Sequence, residues 1–193
     1  MMQFSLIEQI ALAIFLLSGI SFFLYHLLLR LKIILKGKSD FSIDQLPKRI
    51  ARVFDEVILH KKVASGKRKS AGILHALVMY GFIFFGLITI NHFGMAFGLP
   101  IFSDSIRHAY FLFFGAPWAI LCSIGILGLA YRRFVIKPEA LGKFSSTSAI
   151  VSVFIVTLMV TYLIDEFHIL SGAAEKFNWW LHSGVIGGFL FLI

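Results

Sequence analysis

Seven histidines are the side chains best suited to chemistry in a chain of 193 residues, of which only 15% are charged. Polar groups set inside long apolar runs are costly, and they usually line a cavity or hold something. His75 and His92 lie on one apolar stretch, seventeen residues apart. At the rise of a helix that is about 25 Å along the axis, with the two side chains about 100° apart around it. His182 opens a later stretch, after Trp179-Trp180 and before Gly184, Gly187 and Gly188. Imidazoles paired from facing helices are the axial ligands of a membrane haem. Each gives one nitrogen to iron while its other N–H needs an acceptor. A flat macrocycle also wants small residues where it meets a helix, and Gly72, Gly81, Gly86 and Gly94 punctuate the stretch that carries His75 and His92. The same side chains serve metal transport or proton conduction, and glycines are ordinary packing residues in membrane helices. The pattern of residues leaves haem ligation, transport and a structural role open. A single cysteine, Cys122, excludes a disulfide scaffold and any thiolate metal site or iron–sulfur cluster held by this chain alone.

Membrane-spanning helices are what must position these histidines. Hydrophobic residues make up 59% of the chain, 22 of them Phe, where a soluble domain carries about 25% charge and less apolar bulk. Five apolar stretches cover about 6–29, 71–97, 108–131, 145–164 and 177–193. A bilayer core takes roughly 20 residues of helix. The first four stretches reach that length, and the fifth, still apolar at Ile193, is expected to be truncated. The sequence therefore predicts an all-α integral membrane bundle of five transmembrane helices, a single domain over 1–193.

Charge gives the orientation. Twelve Lys and Arg fall between Arg30 and Lys69 and four between Arg132 and Lys143, leaving only Arg107 and Lys176 for the opposite side. This asymmetry is a positive-inside signal. It places both basic loops in the cytoplasm and the N-terminus outside, in a cell's inner (plasma) membrane. The net charge of +8 then reflects topology and contact with anionic lipid, and no nucleic-acid partner is expected. Within the first loop, Leu46, Ile50, Val53, Val57 and Ile58 recur at helical spacing among charged residues. They predict an amphipathic helix on the inner surface over about 45–63. His26 and His60 belong to this side of the chain, and His108 and His168 to the other.

Several segments resemble one family. Arg52-Val-Phe-Asp-Glu-Val-Ile-Leu-His-Lys-Lys, followed by Gly72-Ile-Leu-His75-Ala-Leu-Val-Met-Tyr-Gly-Phe82, is similar to the start of the membrane domain of nitrate reductase gamma subunit-like proteins. The branch fused to heterodisulfide reductase-related iron–sulfur (cysteine-rich domain) proteins is the nearer match. Tyr131-Arg132-Arg133-Phe-Val-Ile-Lys-Pro138, Leu163-Ile-Asp-Glu166 and Trp179-Trp180-Leu-His182 resemble the same family, in order over about 140 residues. The resemblance implies a b-type cytochrome domain with one or two haem b groups, passing electrons between membrane quinone and a cytoplasmic iron–sulfur protein or fused C-terminal domain. Iron–sulfur clusters would belong to that missing domain or partner, and this chain holds no complete catalytic site. The family draws its haem ligands from the second and fifth helices, which makes His75 the inner and His182 the outer ligand. His92 is the outer partner of His182 by depth, and a partner for His75 would lie beyond Ile193. Lys61, Lys62 and Lys67–Lys69 would steer an iron–sulfur partner to the basic face. A haem-free structural anchor and a metal or proton transporter subunit are the competing classes, although no inverted repeat of the transporter kind is evident.

Asp165, Glu166 and His168 form a possible proton or quinone site. They end the fourth helix on the outer side, within loop reach of His182. A quinol sheds two protons with its two electrons, and a carboxylate or imidazole near a haem edge can accept them. A cap of the helix end in the headgroup region is the simpler reading of the carboxylates. Arg107 suits an interfacial anchor or a propionate partner, and the paired tryptophans suit an outer aromatic belt.

Overall fold

A computed structural model describes residues 4–37, 44–59 and 69–192. Among the described residues helix is the only regular element. Six longer helical segments follow one another: α1 (Leu6–Leu35), α2 (Leu46–Val53), α3 (Lys69–Ala96), α4 (Asp104–Ile136), α5 (Ser146–Glu166) and α6 (Gly172–Phe191), with a short 3₁₀ turn at Glu139–Leu141 between α4 and α5. Of these, α1, α3, α4 and α5 are long and apolar enough to cross a membrane.

Local chemistry explains the helix starts. Ser5 and Glu8 form a reciprocal capping box at α1, the Ser5 hydroxyl accepting from the Glu8 amide while the Glu8 carboxylate accepts from the Ser5 amide. Ser103 and Ser145 cap α4 and α5 through their hydroxyls, each accepting a backbone N–H three residues on. Helix α4 widens into a π-helical turn at Phe111–Gly115, just before Pro117. Proline has no N–H to return to the previous turn, and one extra residue in the turn accommodates the missing bond. A second widened turn, Arg132–Ile136, ends the helix at Lys137, which adopts a left-handed conformation.

The helices run further than their apolar stretches. Helix α1 continues to Leu35, α4 starts at Asp104 and α6 starts at Gly172. Apolarity marks where a helix can meet lipid, whereas backbone hydrogen bonding carries on through charged turns such as Arg30–Lys32 and Glu175–Lys176. Of the surface segment expected over 45–63, Leu46–Ile58 is helical, its end widened into a π-helical turn at Phe54–Ile58, and Leu46, Ile50, Val53 and Phe54 are exposed. Residues 60–63 lie outside the described residues, as do Lys61, Lys62, Lys67 and His60.

Closely packed neighbours run in the order α3, α4, α5, α6, α1. Small residues set the spacing, as they must where lipid removes any hydrophobic drive between helices. Gly81 lies against Cys122, Gly125 and Gly128 against Leu74, and Gly187 against the Phe15 ring. Ala119, Cys122, Ile155 and Tyr162 form the centre of the main core. Outward faces carry Ile7, Ile14, Leu17, Ile83 and Ile124, all exposed. Helices α3 and α6 face each other across this arc and meet through side chains rather than closely packed backbones.

Candidate functional site

At the end of the bundle where α3 and α5 finish and α4 and α6 begin, four helices bring polar groups together. Asn91, in the last turns of α3, is buried, and its side-chain oxygen accepts the backbone N–H of Ile101 and of Phe102, both at 2.9 Å. This folds the 97–103 turn back over α3. A Cβ at Gly94 would run into the Leu99 carbonyl, so glycine permits the return. The neighbouring His92 is thereby held inward. Its ring stacks on Trp179 of α6, with centroids 4.6 Å apart and planes 15° from parallel.

Helix α6 supplies the opposing group. The His182 ring centroid lies 5.0 Å from that of His92, with planes inclined at 53°. His182 Nδ1 is 2.7 Å from Thr161 Oγ1 on α5. His92 Nε2 is 3.0 Å from the Oγ of Ser183, which is fully buried. Asn178, one turn before His182, donates its amide to the Thr161 carbonyl at 2.9 Å.

Charged groups surround the mouth. Arg107 of α4 donates to Glu166 of α5 at 3.2 Å, and its own Nε is buried without a partner among the described residues. A cavity of about 310 Å³ opens here, walled by Asp104, Arg107, Asp165, His168 and Glu175 and floored by His92 and Trp179. Beneath the histidines lies an apolar cavity of about 270 Å³ between Phe85, Gly86, Ile155, Met159, Ile186 and Phe189. The paired imidazoles therefore separate a polar chamber from an apolar one.

Of the residues expected from sequence, the structure brings together His92 and His182, with Asp165, Glu166 and His168 at the mouth above them. Asp165 lines both the outer cavity and the narrower space beside the two imidazoles. Glu166 is an ion-pair partner as well as a helix terminus, and Arg107 reaches into the site rather than standing at the interface. His75 does not join: it sits on an exposed face of α3 near the other end. The glycines divide in the same way. A Cβ at Gly187 or Gly188 would strike Phe15 or Phe154, so those two are packing residues, whereas Gly86 and Gly184 open onto free space. Thr161, Asn178, Ser183 and Asn91 escaped the sequence reading. The spacing Asn178–His182, four residues apart on one helical face, was the available signal.

The donor set suits a group that brings its own equatorial nitrogens. Among the described residues no three His, Cys, Asp or Glu side chains converge as a conventional metal site, but a haem asks the protein for only two imidazoles. The facing rings of His92 and His182, with centroids 5.0 Å apart, are the pair that would hold it. Gly86 opens onto the apolar chamber between α3 and α6, and Arg107 stands at the polar one. The residues present fit a haem b. No family model, curated protein or solved structure matches the chain.

Proposed function

We propose that the chain is the membrane domain of a b-type cytochrome of the nitrate reductase gamma-like kind, with α6 as its fifth spanning helix and α2 on the inner membrane surface. The basic loops face the cytoplasm and the N-terminus lies outside. Electrons pass between membrane quinone and an iron–sulfur protein or fused domain that docks on the basic face. The observation that carries this reading is the facing pair His92 and His182, set between a polar and an apolar cavity.

When bound, haem supplies a reversible one-electron carrier within the bilayer. His92 and His182 hold it from two facing helices. Thr161 and Asn178 orient His182, and Trp179 backs His92 and closes that side to water. Arg107 sets positive charge at the carboxylate edge. Asp165, Glu166 and His168 stand where protons released from a quinol leave for the outer surface.

A reduced-minus-oxidised visible spectrum of the full-length protein in its membrane tests the reading. A b-type signal is expected, and His182→Ala is expected to remove the outer-haem component. No b-type signal in correctly assembled protein would sink the cytochrome assignment.

A further inference from the structure

We infer that Thr161 is a positioning residue that fixes the tautomer of His182 and thereby the strength with which that imidazole donates to a metal. This deepens the cytochrome reading and rests on it only for the consequence at the iron.

The argument follows the protons. A threonine hydroxyl has one proton to give and can accept two hydrogen bonds. Thr161 Oγ1 lies 2.7 Å from the Thr157 carbonyl and 3.2 Å from that of Leu158, both on its own helix. Carbonyl oxygens only accept, and either can hold the hydroxyl proton within α5. In the tautomer we infer, it stays there and the histidine is the donor across the remaining short contact, 2.7 Å to His182 Nδ1. His182 then carries its proton on Nδ1 and presents the lone pair of Nε2. An imidazole must be in that form to bind a metal through Nε2, and an acceptor behind Nδ1–H raises its basicity.

The arrangement is built rather than incidental. Thr161 is 4% exposed and Asn178 5% exposed, and Asn178 sits on the same face of α6 as His182. Asn178 grips the main-chain carbonyl of Thr161 while His182 meets its side chain. One residue of α5 thus receives two successive turns of α6. That double contact fixes both the rotation of α6 and the height of the imidazole.

Two measurements test this. In the haem-free 193-residue chain, 15N-histidine NMR is expected to show His182 as the Nδ1–H tautomer. An Nε2–H tautomer in that protein would overturn the inference, whatever the outcome of any haem experiment. In the full-length protein, Thr161→Val removes the acceptor, and the midpoint potential of the outer haem is expected to rise because the ferric state loses donor strength. Thr161→Ser keeps the hydroxyl and is expected to retain the wild-type potential. A haem-loaded Thr161→Val protein with unchanged potential refutes the role, as does a Thr161→Ser protein shifted equally far. Absence of b-type haem from the wild type would instead defeat the cytochrome reading and leave the tautomer result standing.

Discussion

Helix α3 carries a histidine towards each end, and the two ends differ in nearly everything else. Around His92 the helix is met by a stacked indole from α6, a buried serine, an imidazole and a turn folded back through Asn91. His75 sits on an exposed face of the same helix, and further along, at Phe82, the facing helix presents Phe189. Both histidines have glycines nearby in sequence; His75 carried the family motif, and His92 was matched to His182 by depth. At the His92 end a second helix arrives with an imidazole, and Thr161 and Ser183 stand within hydrogen-bond reach of the pair.

Replacing each histidine in turn is the strongest way to break this contrast. In the full-length membrane protein, His92→Ala is expected to lower the outer-haem signal to below about a tenth of wild type, since even outer-shell changes cost 10–100-fold in metal affinity. His75→Ala is expected to leave that component intact. Pyridine haemochrome content together with difference spectra would separate the two. Equal loss in both variants would mean that the ends are not distinct.

The glycines of α6 sharpen the contrast within a few residues. At Gly187 a Cβ meets the Phe15 ring, so Gly187→Ala should destabilise the α1–α6 contact by about 1–3 kcal/mol, the usual cost of overpacking. Gly184 meets nothing. There Gly184→Leu should preserve thermal stability in detergent, because Gly184 is exposed and an added side chain enters open space. If Gly184→Leu melts earlier and Gly187→Ala does not, the assignment of free and packed faces is reversed.

Sequence made the gross plan legible because membrane helices declare themselves by composition. The four long apolar helices were all visible as apolar stretches, and the helices extend past those stretches where charged turns continue the backbone ladder, as at Leu35 and Asp104. The glycines could not be sorted, since periodicity says which face a residue occupies but not which ring stands opposite; Phe15 and Phe154 decide that, and they lie far away in sequence. Thr161 was invisible for a related reason. A threonine in an apolar helix bonds back to its own carbonyls as a matter of course, and nothing on α5 announces the histidine that will lean on it. Arg107 and Glu166, 59 residues apart, could be recognised separately but not as a pair.

The smallest expected effect belongs to the His75 end, at Tyr80. Its hydroxyl donates to the Ile58 carbonyl at 2.5 Å and ties the segment after α2 to α3. The bond is exposed, so water can replace it, and Tyr80→Phe should cost no more than about 1 kcal/mol. The ring itself stays available to Trp118, whose edge-on contact at 5.9 Å does not use the hydroxyl. The loss should therefore appear locally, as faster hydrogen exchange at the Leu59 amide, which donates to the Phe54 carbonyl in the widened turn. That turn holds few buried neighbours and draws its order from such ties. Across the bundle, His92 and His182 answer to Thr161, Ser183 and Trp179, none of which touches Tyr80. The outer-haem spectrum and midpoint potential should stay at wild-type values in Tyr80→Phe. A measurable shift in either would show that the two ends of α3 are energetically coupled, and the contrast between them would no longer describe the molecule.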